Sequence, residues 1–192
     1  MKFRGVVIVV VLFVAVLSSQ PLFAAYSTSL RERAENNDSE AQFNLGLSYE
    51  YGNNGVEKNL IEAVKWYRKS ANLGNAKAQF CLGVCYANGN GVVQNYAEAV
   101  KWYRRGAEQG CKEAQLNLGV CYEYGDGVDK DFKEALTWYF KAALQGNDEA
   151  QYKVGFWLLM AKKPDEAVQW LQKSAKQGNE RAKNAIKAIS EQ

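Results

Sequence analysis

Ala78-Gln79-Phe80-Cys81-Leu82-Gly83 is a stretch that returns, with small changes, three more times along this chain. The related stretches are residues 41–46, 114–119 and 150–155, so the period is nearly constant. Tryptophan recurs in parallel at Trp66, Trp102, Trp138 and Trp170, and only the last of these intervals is shorter than the others. A fixed period of roughly 20 to 50 residues indicates a repeat array, in which each unit buries its apolar face against its neighbours.

Each unit is predicted to be a pair of helices, which makes the fold class all-α. In the first unit, Ser39–Tyr51 is predicted to form a helix that we call A, and Asn59–Leu73 a helix that we call B, because apolar residues recur at helical spacing in both. Glycine and asparagine punctuate the loop between them. Gly74 stands where a left-handed glycine ends a helix. The glycine inside each A helix, such as Gly46, costs about 1 kcal/mol relative to alanine, so we expect it to permit close backbone approach of the B helix.

The register divides the whole chain into seven segments. Residues 1–24 are predicted to be a signal peptide, residues 25–37 an N-terminal cap with a truncated B helix, and residues 179–192 a terminal A helix. The repeats between them are predicted at residues 38–74, 75–110, 111–146 and 147–178. The fourth repeat is shortened because its loop lacks the glycines, and Pro164 is predicted to start its B helix.

The N-terminus has the pattern of an export signal. Lys2 and Arg4 precede an uninterrupted apolar run, Gly5–Leu17, and the segment ends in the small residue Ala24. The alternative is an uncleaved membrane anchor, but a helix over this run, at about 1.5 Å per residue, is about 20 Å long and falls short of the ~30 Å hydrocarbon core. Cleavage would leave basic and acidic residues almost equal in number. Such a balance does not suggest nucleic-acid binding.

The side-chain chemistry argues against several classes of enzyme. The sequence contains no histidine, which removes Ser-His and Cys-His nucleophile pairs and the commonest metal ligand. We predict no metal site and no cofactor. The spacing of the four cysteines favours free thiols over disulfides, with Cys81–Cys85 as the leading candidate if a bridge forms.

The second repeat carries a family resemblance in Ala78, Leu82-Gly83, Tyr86, Gly89, Gly91-Val92, Ala99, Trp102 and Ala107. This pattern resembles the Sel1-like repeat, a relative of the tetratricopeptide repeat, and the resemblance covers about residues 38–189. It implies a right-handed α/α superhelix, or solenoid, that acts as an adaptor for protein partners. Exported bacterial members of the family are associated with envelope functions, secretion and host interaction, and a eukaryotic branch acts in the lumen of the endoplasmic reticulum. A β-lactamase activity has been attributed to cysteine-rich relatives, but the B helices here lack the cysteine that those proteins carry.

A helical wheel of the A helices leaves one strip open for a partner, because the concave face of a solenoid is its usual binding surface. By register, the strip has three rows. The first row is Asn44, Cys81, Asn117 and Lys153. The second row is Ser48, Cys85, Cys121 and Trp157. The third row is Tyr51, Asn88, Tyr124 and Met160. A solvated face with no binding role is the competing interpretation.

The sequence therefore favours an exported protein-interaction adaptor, periplasmic or secreted, with the lumen of the endoplasmic reticulum as a second compartment. Its expected partner is a protein or peptide, without nucleic acid and without membrane insertion after cleavage. The alternatives are a hydrolase of β-lactam or cell-wall type, and a structural component of an envelope or lumenal complex.

Overall fold

A computed structural model describes residues 28–191 of the protein. These residues form ten α-helices and no strand, which confirms the predicted all-α fold class. The first helix, α1, covers 28–35 within the described part. The others are α2 (Ser39–Tyr51), α3 (Leu60–Asn72), α4 (Ala76–Asn88), α5 (Tyr96–Glu108), α6 (Lys112–Tyr124), α7 (Phe132–Leu144), α8 (Asp148–Met160), α9 (Pro164–Lys176) and α10 (Glu180–Ser190). The predicted signal peptide, residues 1–24, lies outside the described residues.

The described residues form two compact units, residues 28–75 and residues 76–191. In the first, α2 and α3 are the A and B helices of the first repeat, and α1 packs beside them as the predicted truncated B helix. Leu30 and Ala34 of α1 are buried with Ala41 and Leu45 of α2. In the second unit, α4 to α9 are three further A and B pairs, and α10 is the predicted terminal A helix.

Short polar residues start the helices, as capping chemistry predicts. Asp38, Asn59, Asp131 and Asn147 each have a side-chain oxygen that accepts a hydrogen bond from a backbone N–H in the first helical turn. The glycine that follows each of the four B helices has a positive φ, as at Gly74 (φ 91°). These signals fix where each helix begins and ends, and so set the period of the repeat.

The glycines inside the A helices make room for an aromatic ring. A Cβ atom built on Gly46 would lie 2.6 Å from ring carbons of Tyr67, and one on Gly119 would lie 2.6 Å from Tyr139. The expected close approach is therefore made mainly by a side chain, and the prediction of backbone approach was incomplete. Backbone comes close as well in the third repeat, where the same Cβ atom would lie 3.1 Å from the carbonyl oxygen of Ala135.

Buried glutamines join consecutive helices within the second unit. Gln115 donates a hydrogen bond from Nε2 to the carbonyl of Ala107 at 3.0 Å, and Gln151 donates to the carbonyl of Ala143 at 3.1 Å. In turn, Gln145 donates to Oε1 of Gln115 at 2.8 Å. Each of these A-helix glutamines thus forms hydrogen bonds with the end of the B helix in the preceding repeat and with the end of the B helix in its own repeat. Satisfied polar groups of this kind fix the register between helices as well as adding stability.

The C-terminal helix ends the array through a change at one register position. Ala182 of α10 is fully buried and matches Ala150 of α8. The position that matches Gly155 is Lys187, whose side chain is 75% exposed. In the A helices, glycine at this position makes room for a side chain of the following B helix. With lysine there, α10 is suited to be the last helix of the array.

Candidate partner-binding surface

The third row of the predicted strip lies at the last turn of the A helices and is exposed. Tyr51 in the first unit is 66% exposed. In the second unit, Tyr124 is 60% exposed, Met160 is 61% exposed and Asn88 is also exposed. Burial of a large apolar side chain contributes about 1.5–3 kcal/mol, so side chains of this size that stay in water have contributed little to folding.

Most of the second row is buried, so its assignment to an open groove was wrong. Ser48 is 0% exposed, Cys85 is 7% exposed and Cys121 is 6% exposed. The loop that follows each of these A helices folds back over this position. In the first repeat Asn54 donates a hydrogen bond from Nδ2 to Oγ of Ser48 at 2.9 Å. In the third repeat the backbone N–H of Asp126 donates to the carbonyl of Cys121 at 3.0 Å.

Trp157 is the exception in the second row, because the fourth repeat lacks the glycine loop. Its indole is half-buried and packs against Phe132 at the start of α7, with ring centroids 5.1 Å apart. Phe156 lies edge-on to the same indole at 6.4 Å. The end of α8 therefore presents a group of aromatic rings where the other repeats present a loop.

The first row is half-buried, and two of its members already have partners inside the second unit. Nζ of Lys153 forms an ion pair with Oε2 of Glu123 at 2.7 Å, and the two side chains are 12% and 13% exposed. The hydroxyl of Tyr139 donates to the same carboxylate oxygen at 2.5 Å. The amide of Asn117 lies beside the hydroxyl of Tyr103, whose pKa is raised by burial and partly lowered by this amide. Asn44 and Cys81 are half-buried as well.

Burial raises the pKa of several thiol and phenol groups in the second unit, which makes them less reactive at neutral pH. Desolvation, with a smaller contribution from the nearby Asp126 carboxylate, raises the pKa of the Cys121 thiol to about 11. Desolvation also raises the pKa of Cys111, and it raises the pKa of Tyr139, whose hydroxyl bonds Glu123. The structure pairs none of the four cysteines, all of which lie in the described part of the chain, in a disulfide. Because the thiolate is the nucleophile, Cys121 is a poor nucleophile at neutral pH.

A groove at the C-terminal end of the second unit was missed by the register analysis. It has a volume of about 730 Å³ and lies between α8 and α10. Its lining comprises Tyr152, Phe156, Leu159, Lys162, Pro164, Arg181, Ala185, Ala188 and Ile189. The sequence held a signal for it, since Ala185 and Ile189 are the α10 residues that match Lys153 and Trp157. The three predicted rows end before the terminal helix, although the small side chains of that helix leave space there.

The repeats match one protein family along most of the chain. The Sel1 repeat model matches residues 39–75, 76–111, 112–147 and 148–179. The chain belongs to the Sel1 repeat family. The matched bounds each lie one residue further along than the repeat bounds expected from the register.

Two solved structures have the same fold at substantial sequence identity. A Sel1 repeat protein from Oxalobacter formigenes is 40% identical, with a TM-score of 0.79 over 88% of this chain and 71% of that chain. A protective antigen of uropathogenic Escherichia coli is 38% identical, with a TM-score of 0.80 over 83% of this chain and 35% of that chain. The present chain thus spans about a third of the length of that antigen.

Among curated proteins, the DAP3-binding cell death enhancer 1 of Rattus norvegicus is 56% identical over 46 residues, which is 24% of this chain and 9% of that protein. A match of this length covers little more than one repeat, so it supports the Sel1 repeat itself. Sel1 repeats and the related tetratricopeptide repeats typically bind protein partners. Within residues 28–191, no helix has the length and apolar character needed to cross a membrane.

Proposed function

We propose that this Sel1 repeat protein is an exported adaptor that binds a protein partner across the carboxyl ends of the A helices of its second unit. The observation that carries the proposal is the exposure of Tyr124 and Met160, at 60% and 61%, on helices whose other large side chains are mostly packed. Aromatic residues and methionine are enriched where proteins bind one another.

The surroundings of Tyr124 suit it to be a contact residue. Nζ of Lys153 lies 5.6 Å from the centre of its ring, so the ring is held beside a cation that is itself fixed by Glu123. A side chain that is already ordered loses less conformational entropy when a partner binds. The first row is therefore assigned a supporting role, and the third row the contact role.

Export is the second part of the proposal and rests on residues 1–24. The basic start, the apolar run Gly5–Leu17 and the small residue Ala24 support secretion into the periplasm or the medium. A structural role in an envelope complex, or a place in the lumen of the endoplasmic reticulum, is a variant of the same proposal with a different partner.

The adaptor role is tested by affinity capture with residues 25–192 from the envelope fraction of the native cell. We expect wild-type protein to retain a specific partner, identified by mass spectrometry, and the Tyr124→Ala variant to lose it while its thermal unfolding stays unchanged. Leu144→Ala is the matched control, because Leu144 is 74% exposed but lies at the end of a B helix. Equal capture by wild type and Tyr124→Ala would contradict the assignment of this surface.

The hydrolase alternative finds no favourable observation in the described residues. The hydroxyl of Ser48 donates to the carbonyl of Asn44 at 2.9 Å, and the hydroxyl of Ser174 donates to the carbonyl of Asp148 at 2.7 Å. Both serines are fully buried, and neither arrangement activates an oxygen for attack on a substrate. Turnover of nitrocefin by purified residues 25–192 above the buffer rate would restore that alternative.

A further inference from the structure

The groove between α8 and α10 has an apolar floor made by both helices. Tyr152 and Phe156 lie one turn apart on α8, with ring centroids separated by 6.2 Å, and Phe156 remains 42% exposed. Opposite them, α10 contributes Ala185 and Ile189, which are half-buried. The volume of about 730 Å³ lies in the range of pockets that bury a ligand of moderate size, which is roughly 300–1,000 Å³.

The charged side chains that line this groove are all cations. The guanidinium of Arg181 lies 4.4 Å from the centre of the Tyr152 ring, and Nη1 of Arg181 forms an ion pair with Glu149 at 2.7 Å. Glu149 offsets much of the charge of Arg181. No carboxylate among residues 28–191 forms an ion pair with Lys162, the other cation of the lining. The rim of the groove therefore carries positive charge, most of it on Lys162.

The positive charge of the rim favours an acidic partner over a second copy of this chain as the occupant of the groove. A two-fold dimer formed through the groove would place the cationic rim of one copy against the cationic rim of the other, because a two-fold interface uses the same surface patch on both copies. Like charges brought together at an interface cost free energy. An acidic partner has the opposite effect, because it is attracted by the rim and then buries apolar side chains on the floor.

We propose that the groove between α8 and α10 binds a segment of a partner protein in which large apolar side chains stand next to glutamate or aspartate. The apolar side chains lie against Phe156 and Ile189, and the carboxylates face Lys162 and Arg181. This proposal rests on the adaptor function, and it adds the location of a second contact and the chemistry of the partner.

The test measures binding of two fluorescein-labelled peptides to residues 25–192 by fluorescence anisotropy. Both peptides are short helices with the same leucine and phenylalanine face, and one has glutamate flanks where the other has lysine flanks. We expect the glutamate peptide to bind at least about five-fold more tightly, since exposed charge pairs contribute up to about 1 kcal/mol each. We expect this preference to shrink as salt is raised, since salt screens exposed charges.

Three variants locate the binding. Ala188→Glu places bulk and negative charge on an exposed lining position and should weaken binding of the glutamate peptide at least tenfold. Lys162→Glu should remove most of the preference for glutamate flanks. Lys77→Glu is the matched control. Lys77 is exposed in α4, outside the groove, and its replacement makes the same change in net charge as Lys162→Glu. Circular dichroism melts confirm that each variant is folded.

The proposal is overturned if the glutamate peptide does not bind, if both peptides bind equally, or if Ala188→Glu binds as wild type does. The adaptor function is judged separately, by capture of a native partner and its loss in Tyr124→Ala. Capture that persists in a protein unable to bind the peptide would remove the groove and leave the adaptor in place. Absence of capture by wild type would remove the adaptor, whatever the peptides do.

Discussion

At the scale of single residues, one glutamine differs from its counterparts in the later repeats. Oε1 of Gln42 is buried and accepts no hydrogen bond within the described residues, whereas Oε1 of Gln115 accepts one from Gln145 and Oε1 of Gln151 accepts one from Gln177. The position that matches Gln145 in the first repeat is occupied by Leu73, which is 51% exposed and has no donor to offer. A buried acceptor left unpaired costs about 1–3 kcal/mol.

Replacing Leu73 with glutamine should therefore stabilise the protein. We expect Leu73→Gln to raise the free energy of unfolding by about 1 kcal/mol, because a neutral hydrogen bond to a buried group contributes about that much. Urea denaturation followed by circular dichroism measures it. Asn72→Gln is the control, since Asn72 is exposed at the preceding position and its replacement only lengthens a side chain that already ends in an amide. Equal stabilisation by both changes would mean that the gain does not come from Gln42.

Replacing Gly119, which lies inside the A helix of the third repeat, with alanine should have two opposing effects on stability. Alanine at position 119 would gain about 1 kcal/mol of helix propensity. Its Cβ atom, however, would lie 2.6 Å from the ring of Tyr139, which is 0% exposed and has no room to move. Overpacking of a core typically costs about 1–3 kcal/mol, so we expect Gly119→Ala to be destabilising overall.

The Tyr139→Ala background separates these two contributions. Without the ring, Gly119→Ala should cost less, because of the close contacts only the 3.1 Å approach to the carbonyl oxygen of Ala135 would remain, and the double-mutant cycle should give a coupling of about 1 kcal/mol or more. Additive losses of stability in the two variants would show that the ring is not the reason for the glycine.

At the scale of helices, one buried ionic network joins α6, α7 and α8. Glu123 at the end of α6 accepts from Tyr139 of α7 and pairs with Lys153 of α8. The chain changes these three positions together at the fourth repeat. There the matching residues are Leu159, Leu171 and Ala185, so no charge is buried without a partner. The network is thus one of several solutions for the same space between helices, since the second repeat has Ala87, Tyr103 and Asn117 at these positions.

Removing one charged member of the network should lower the free energy of unfolding more than removing both charges of the pair. We expect Glu123→Leu to cost about 3 kcal/mol or more, because Lys153 would remain buried without its carboxylate. The double variant Glu123→Leu with Lys153→Met should cost clearly less than Glu123→Leu alone, since it exchanges an ion pair for apolar packing. Chemical denaturation of the two single variants and the double variant measures this. A double variant that is less stable than either single variant would contradict the prediction.

The helices are the part of the structure that the sequence could predict well. Period, capping residues and glycine positions fixed the A and B helices closely, because those signals act locally and recur four times. They did not predict that Ser48 and Cys121 would be covered. A helical wheel treats each A helix as an isolated rod, and the cover comes from a loop whose path depends on the positive φ of residues such as Asn54 and Gly127.

The candidate surface was predicted in part for the same reason. Tyr124 was placed correctly on the exposed third row, because its position follows from the helix alone. The partners of Lys153 and Asn117 depend on which side chains the neighbouring helices bring, and the repeat pattern conceals that variation. The groove beside α10 depends on small side chains in a terminal helix that departs from the repeat pattern.

At the scale of the whole molecule, export would decide which residues are available for folding. None of the described helices is suited to cross a membrane. The apolar run of the N-terminus, Gly5–Leu17, is short, and it is followed by several small and polar residues before Ala24. A run this short fits an export signal better than a permanent anchor, because a spanning helix needs about 20 apolar residues.

The final prediction is therefore that the chain is cleaved after Ala24. Expression of the full chain in a bacterial host with export machinery should give a periplasmic protein whose intact mass and N-terminal sequence begin at Ala25. Ala24→Trp should block cleavage, because the position before the cut requires a small residue, and should leave the full chain held at the membrane. Ala25→Trp changes the neighbouring position after the cut and serves as the control. A wild-type protein that stays membrane-bound at full length would show that residues 1–24 anchor the repeat array, and the adaptor would then act at the membrane surface.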